Sequence, residues 1–268
     1  MDKKFQGGLE KMNEDNIKRK VREGYAKVVK ENSSCCCGPA SSCCGSASAT
    51  DISKNLGYTD KDLSSIPEGS NLGLGCGNPL ALASLKKGET VLDLGSGAGF
   101  DCFLAANKVG ESGKVIGVDM TPEMIQKATE KAKKNGYKNV EFKLGEIEQL
   151  PVADNSIDII ISNCVINLSP DKESVFKEAF RVLKPGGRVV VSDIVLLKEL
   201  PKTIKDSAEA YVACISGAIL KEEYLNHIKN AEFVDVKVLE ETFFETEHTT
   251  DGFDGVKSIR VSGLKPIK

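Results

Sequence analysis

The chain has 268 residues and 28.8 kDa, with 40% hydrophobic and 28% charged residues, a balance that implies a sizeable core and excludes a fibrous or wholly disordered chain. Lys and Arg number 36 against 39 Asp and Glu, for a net charge of −3 and a pI near 5.7, which leaves no broad basic footprint for DNA or RNA. There is no uninterrupted apolar run long enough to span a membrane and no secretory pattern in Met1 to Gly8, and 9 cysteines, an odd number, suit reduced thiols in a cytoplasmic location better than a disulfide scaffold.

In chain order, Ile17, Val21, Tyr25, Val28 and Val29 recur at helical intervals among charges and predict an amphipathic helix over residues 12 to 31. A cluster follows, Cys35, Cys36, Cys37, Cys43 and Cys44, where Gly38, Pro39 and serines deny a regular element. Residues 51 to 78 are turn-rich and end in Leu74-Gly75-Cys76-Gly77-Asn78. Residues 1 to 78 therefore read as an N-terminal helix, a Cys-rich loop and a covering segment, and residues 79 to 268 as the core with its C-terminal covering helices and strands.

Apolar strands and charged helices then alternate. Strands are predicted at 90 to 94, 114 to 119, 140 to 144, 157 to 162 and 188 to 194, the last after a Lys184-Pro185-Gly186-Gly187 turn. Helices are predicted at 100 to 108, from Pro122 (capped by Thr121) to about Asn135, and at 171 to 183. Further helices over 202 to 214 and 221 to 230 precede strands at 234 to 239 and 256 to 264. Such alternation implies a largely parallel sheet with right-handed crossovers.

The sharpest motif is Asp93-Leu94-Gly95-Ser96-Gly97-Ala98-Gly99, between a strand and a helix, where glycines let backbone approach a ligand. Asp93 orients this loop. Asp119, at the end of the next strand, can accept both hydroxyls of a ribose, with Met120 flanking an adenine. Loop and acid alone indicate an adenosine-containing cofactor, and NAD sites carry a similar acid. Beyond the third strand, Glu146 can meet the adenine amino group and Ile147 can pack on the base. The region resembles the S-adenosylmethionine site of the class I methyltransferases. That resemblance implies a Rossmann-like α/β fold: a seven-stranded, mostly parallel sheet with helices on both faces, its last strand antiparallel between its neighbours. It also implies cofactor contacts at Asp93, Gly95, Gly97, Gly99, Asp119, Met120, Glu146, Ile147 and Asn163.

Cys164 follows the fourth strand and is expected beside the reactive end of the cofactor, because open parallel sheets bind ligands beyond the carboxyl ends of their strands. Cys214 is expected in a covering helix, Cys76 in its Gly-flanked turn, and Cys102 in the core. The elements around Cys76, Ile161 to Leu168, and Ala213 to Ala218 resemble the motifs of arsenite S-adenosylmethionine methyltransferases. By that resemblance Cys76, Cys164 and Cys214 bind As(III), while Cys44 is the preferred counterpart of a redox-active N-terminal cysteine. It further implies an inorganic or methylated arsenical substrate, and a thiol reductant such as glutathione or thioredoxin as co-substrate, with thioredoxin as a partner.

Trivalent arsenic is soft and suits thiolates, and its lone pair is itself the nucleophile. No proton leaves arsenic during transfer, so no catalytic histidine is required; His227 and His248 fall outside the site, and no obvious base stands beside Cys164. The competing readings are a methyltransferase for another small acceptor and a non-catalytic thiol-rich metal-binding protein.

Overall fold

The computed structural model describes residues 14–31, 48–201, 214–244 and 255–267. Helices α1 (Glu14–Glu31), α2 (Ala49–Asn55), α3 (Asp60–Ser64) and α4 (Pro79–Leu82) precede β1 (Thr90–Leu94), α5 (Phe100–Val109), β2 (Lys114–Asp119), α6 (Pro122–Lys134) and β3 (Val140–Leu144). Then come β4 (Ile157–Asn163), α7 (Lys172–Val182), β5 (Leu183–Leu196), α8 (Lys221–Asn230), β6 (Val234–Phe243) and β7 (Val256–Leu264).

The strands form one seven-stranded sheet in the order β3-β2-β1-β4-β5-β7-β6. The first five are parallel, and β7 runs antiparallel to both β5 and β6. This is the sheet that the class I methyltransferase resemblance implies. Central strands are apolar on both faces because both are covered. Leu92, Leu94, Ile116, Val118 and Ile160 join one cluster with Phe176 of α7 and Tyr224 of α8. Their alternates Val91, Val115, Ile159 and Ile161 join another with Leu104 of α5, Tyr58 and Leu80. A third cluster gathers Val21 of α1, Cys76, Cys164, Ile194 and Cys214.

Three local expectations change. Strand β5 starts at Leu183, not 188: Leu183 pairs with Ile157, the register shifts, and Ile159 then faces Arg188. The expected turn is thus a bulge within the strand, with Gly186 at φ 80°. Thr121 occupies the cap position of α6 without a side-chain capping bond, and its backbone N–H is instead held by Asp119. Cys214 lies in a turn at φ 65° rather than in a helix, and residues 202–213 of the predicted helix lie outside the described residues, as does Cys44. Among the described residues no helix is long and apolar enough to cross a membrane.

Candidate active site

A cavity of about 730 Å³ opens at the carboxyl ends of β1, β2 and β4. Of the residues singled out in the sequence for a cofactor, it is lined by Gly95, Gly97, Asp119, Met120, Ile147 and Asn163, together with Cys164. Gly95 has φ 67°, and a Cβ there would lie 2.4 Å from Val165 Cγ2, so no other residue fits between the loop and the segment after β4. Asp119 Oδ2 accepts from Gly97 N at 2.9 Å and Oδ1 from Thr121 N at 2.8 Å. Burial nonetheless pushes this acid upward. The two backbone donors fix the carboxylate and leave each oxygen a lone pair for a ligand.

Three residues expected at the cofactor are not among those lining this cavity. Gly99 packs under the loop, where a Cβ would lie 2.8 Å from both Phe103 and Phe142 ring atoms. Asp93 is buried and accepts a hydrogen bond from Cys102 Sγ at 3.2 Å; it lines an adjoining cavity of about 550 Å³ with Tyr58, Ser96 and Asp101. Glu146 pairs with Lys18 at 2.7 Å and Arg22 at 3.5 Å on α1, at the rim where Lys18 and Glu148 line the cavity. Lys18 also reaches Glu148 at 3.2 Å, so ion pairs draw α1 across the opening, and Lys18, Val21 and Tyr25 complete the lining. The sequence reading missed this contribution, although the three residues share one helical face by their spacing.

The three cysteines assigned to arsenic come together. Cys76, Cys164 and Cys214 are all free and buried in one apolar cluster, and the sulfurs of Cys76 and Cys164 lie within 4.8 Å of each other. Cys214 Sγ lies 3.0 Å from Cys164 O, and Cys76 Sγ 3.7 Å from Ser192 O. Burial pushes the thiols of Cys76 and Cys164 upward, so both are neutral near pH 7. Cys164 sits at φ 61° and Cys214 at φ 65°, left-handed conformations costing about 1–2 kcal/mol each for a residue with a Cβ.

Cys76 is held by its neighbours. A Cβ on Gly75 would lie 2.7 Å from Asn163 Nδ2, and one on Gly77 would lie 1.9 Å from Ser192 Oγ, so the flanking glycines let this turn press onto the sheet. Asn163 Oδ1 accepts from Cys76 N at 3.1 Å, while its Nδ2 donates to Gly77 O at 2.9 Å, Asp101 Oδ2 at 3.2 Å and Tyr58 Oη at 3.2 Å. Tyr58 in turn donates to Asp101 Oδ1 at 2.7 Å. Asp101 is driven up to about 6 by burial, which the Tyr58 and Asn163 bonds oppose. The Asn163 amide expected at the cofactor is thus spent on the Cys76 turn.

An acid does stand beside Cys164, contrary to the sequence reading. Donor atoms of Asp193, Cys76 and Cys164 all lie within 4.8 Å of one another. Asp193 is fully buried, and burial pushes its carboxyl up to about 7 against hydrogen bonds from Ile194 N at 3.0 Å and Tyr224 Oη at 3.1 Å. The signal available was one carboxylate, beside Ser192, in the otherwise apolar run Val189 to Val195. Lys172, largely buried, donates to Ser169 O at 3.0 Å; burial pushes its ammonium downward, which the Asp193 carboxylate opposes.

A family model described as a methyltransferase domain matches residues 85–254. An arsenite methyltransferase of Halobacterium salinarum is 47% identical over 230 residues, covering 84% of this chain and 59% of that protein. One of Aquipseudomonas alcaligenes is 39% identical over 233 residues, covering 82% and 63%. An X-ray structure of an arsenic (III) S-adenosylmethionine methyltransferase from Chlamydomonas reinhardtii superposes with a TM-score of 0.63 at 33% identity, covering 80% of this chain and 73% of that one. The chain spans about three fifths of the length of the curated relatives it matches.

Proposed function

We propose, because this chain belongs to the arsenite S-adenosylmethionine methyltransferase family, that it transfers a methyl group from S-adenosylmethionine to As(III) held by Cys76, Cys164 and Cys214. The observation that carries the reading is Cys164: its sulfur lies within 4.8 Å of that of Cys76, its carbonyl is 3.0 Å from Cys214 Sγ, and the same residue lines the cavity bearing Asp119 and Gly97. Neutral thiols suit uncharged arsenous acid. Each exchange forms an As–S bond and breaks an As–O bond, and the thiol proton leaves with the hydroxyl as water. Three sulfurs leave the arsenic lone pair as the remaining directional site.

S-adenosylmethionine supplies an electrophilic methyl: the lone pair forms the As–C bond as the S–CH₃ bond breaks and its electrons return to sulfur, giving S-adenosylhomocysteine. The residues fit that cofactor. Asp119 offers fixed acceptors for ribose hydroxyls, Met120 and Ile147 offer apolar surface for adenine, and Gly95 and Gly97 allow close backbone approach to the methionine end. Catalysis rests on positioning and on exclusion of water by the buried cluster. Arsenic rises formally from III to V, so a thiol reductant such as glutathione or thioredoxin restores the trivalent form, with Cys44 as the cycling residue of this chain. A cytoplasmic location, where such reductants are maintained, belongs to the same proposal.

The test is separate Cys164→Ser and Cys214→Ser variants, incubated with As(III), reductant and methyl-labelled donor, followed by arsenic speciation. Each is expected to yield no methylated arsenic while binding S-adenosylmethionine within about threefold of wild type. Turnover near wild type in either variant would remove that sulfur from the ligand set.

A further inference from the structure

Asp193 has no part in the chemistry above, yet its carboxylate lies among the sulfurs. We propose that Cys76, Cys164, Cys214 and Asp193 form a four-donor site for a thiophilic divalent cation, zinc or cadmium, whose occupation excludes As(III). The inference uses the same three thiols as the proposed function but does not depend on methyl transfer.

The donor set carries the argument. Structural zinc sites are tetrahedral, with bonds of about 2.3 Å to sulfur and about 2.0–2.2 Å to carboxylate oxygen, so neighbouring donors stand roughly 3.5–3.8 Å apart. The donor atoms of Cys76, Cys164 and Asp193 already lie within 4.8 Å of one another, and Cys214, whose Sγ lies 3.0 Å from Cys164 O, supplies the third sulfur from just outside that group. Occupation requires the Cys214 sulfur to turn from the Cys164 carbonyl toward the other three donors.

The carboxylate is also prepared to ligate. Ile194 N–H holds Oδ1 at 3.0 Å and Tyr224 Oη–H holds Oδ2 at 3.1 Å, which fixes its plane while leaving lone pairs free, as outer-shell partners of metal-bound carboxylates do. Three thiolates and a carboxylate carry four negative charges against two on the cation, and the buried ammonium of Lys172, which feels Asp193 and Cys214, offsets part of the excess.

Arsenic and the divalent cations then use the pocket differently. As(III) takes three sulfurs and keeps a lone pair, so Asp193 adds nothing to its coordination. A cation without a directional lone pair completes its shell with the carboxylate. Asp193 is thus the residue that separates the two kinds of occupant.

The test uses the full chain with Cys35, Cys36, Cys37, Cys43 and Cys44 replaced by serine, so that the N-terminal cluster binds no metal. X-ray absorption of the zinc-loaded, fully reduced protein is expected to give three sulfurs and one oxygen. Chelator competition with zinc and cadmium should show Asp193→Asn weakening both by at least about tenfold, with As(III) affinity changed by less than about threefold. In the protein with Asp193 intact, one equivalent of cadmium should block As(III) binding. A shell without the carboxylate oxygen, or equal losses of cation and As(III) affinity in Asp193→Asn, would overturn the proposal. Binding of cadmium through three sulfurs and one oxygen in a protein that never binds As(III) would instead overturn the arsenic reading and leave this one standing.

Discussion

Replacing Asn163 by leucine keeps the side chain's size and removes its hydrogen bonds. Cys76 N–H and Gly77 C=O, both in buried residues, lose their Asn163 partner, and the Asp101 carboxylate loses one of two donors. Gly77 O and Asp101 keep Tyr58 as donor, so Cys76 N–H is the group left orphaned; that costs about 1–3 kcal/mol, the apolar replacement returns part of it, and the expected loss of stability is roughly 2 kcal/mol. The same change frees the Cys76 turn from β4 while leaving Cys164 and Cys214 in place. Urea denaturation measures the first effect. Titration with arsenite and with monomethylarsenite, followed by arsenic–thiolate absorbance, measures the second. On the proposed assignment arsenite uses all three sulfurs and is expected to bind at least about tenfold more weakly, whereas monomethylarsenite needs only two and should change little. An unchanged urea midpoint, or equal weakening of both arsenicals, would refute the assignment of Asn163 to the Cys76 turn.

Two further outcomes follow from charge. The Asp101 carboxyl, raised from 3.8 to about 6 by burial, keeps its proton in the folded chain where the unfolded chain has lost it. Stability from this group is therefore full below about pH 4, falls as pH rises to about 6, and is constant above; removing the acid in Asp101→Asn should widen the variant's advantage by roughly 3 kcal/mol across that window. Urea midpoints at pH 4 and pH 7 check it, and a gap that does not change with pH contradicts it. Lys18→Ala removes the pairs to Glu146 and Glu148 that hold α1 over the cavity. Binding of S-adenosylmethionine should weaken by about three- to tenfold at low salt and less at high salt. Calorimetric affinities equal to wild type at low salt would show that α1 does not close the cavity.

The parallel sheet was legible because burial on both faces writes nearly continuous apolar strands, Ile157 to Ile161 being the plainest. Gly95, Asp119 and Cys164 were legible because each ends or follows such a strand, and the sheet's geometry fixes where those ends point. What escaped was side-chain commitment across the chain. Glu146 follows its strand as expected, but Lys18 and Arg22, more than a hundred positions earlier, claim its carboxylate. The Asn163 amide stands at the expected strand end, yet its partners come from Tyr58, Cys76, Gly77 and Asp101. Asp193 went unread because nothing in the run Val189 to Val195 says which elements meet it. Cys214 was read into a helix because periodicity carries no sign of a left-handed residue.

That left-handed backbone at Cys164 and Cys214 gives the site a direction of decay. A cysteine codon is a single base from glycine, and glycine is the residue such a conformation favours. Where the thiol is no longer needed, either position can therefore drift to glycine, the backbone relief of about 1–2 kcal/mol offsetting the packing lost with the buried side chain. On the proposed function, sulfur retained at both positions marks a population in which the metalloid still exacts a cost, and paired glycines there would mark one that has left it behind.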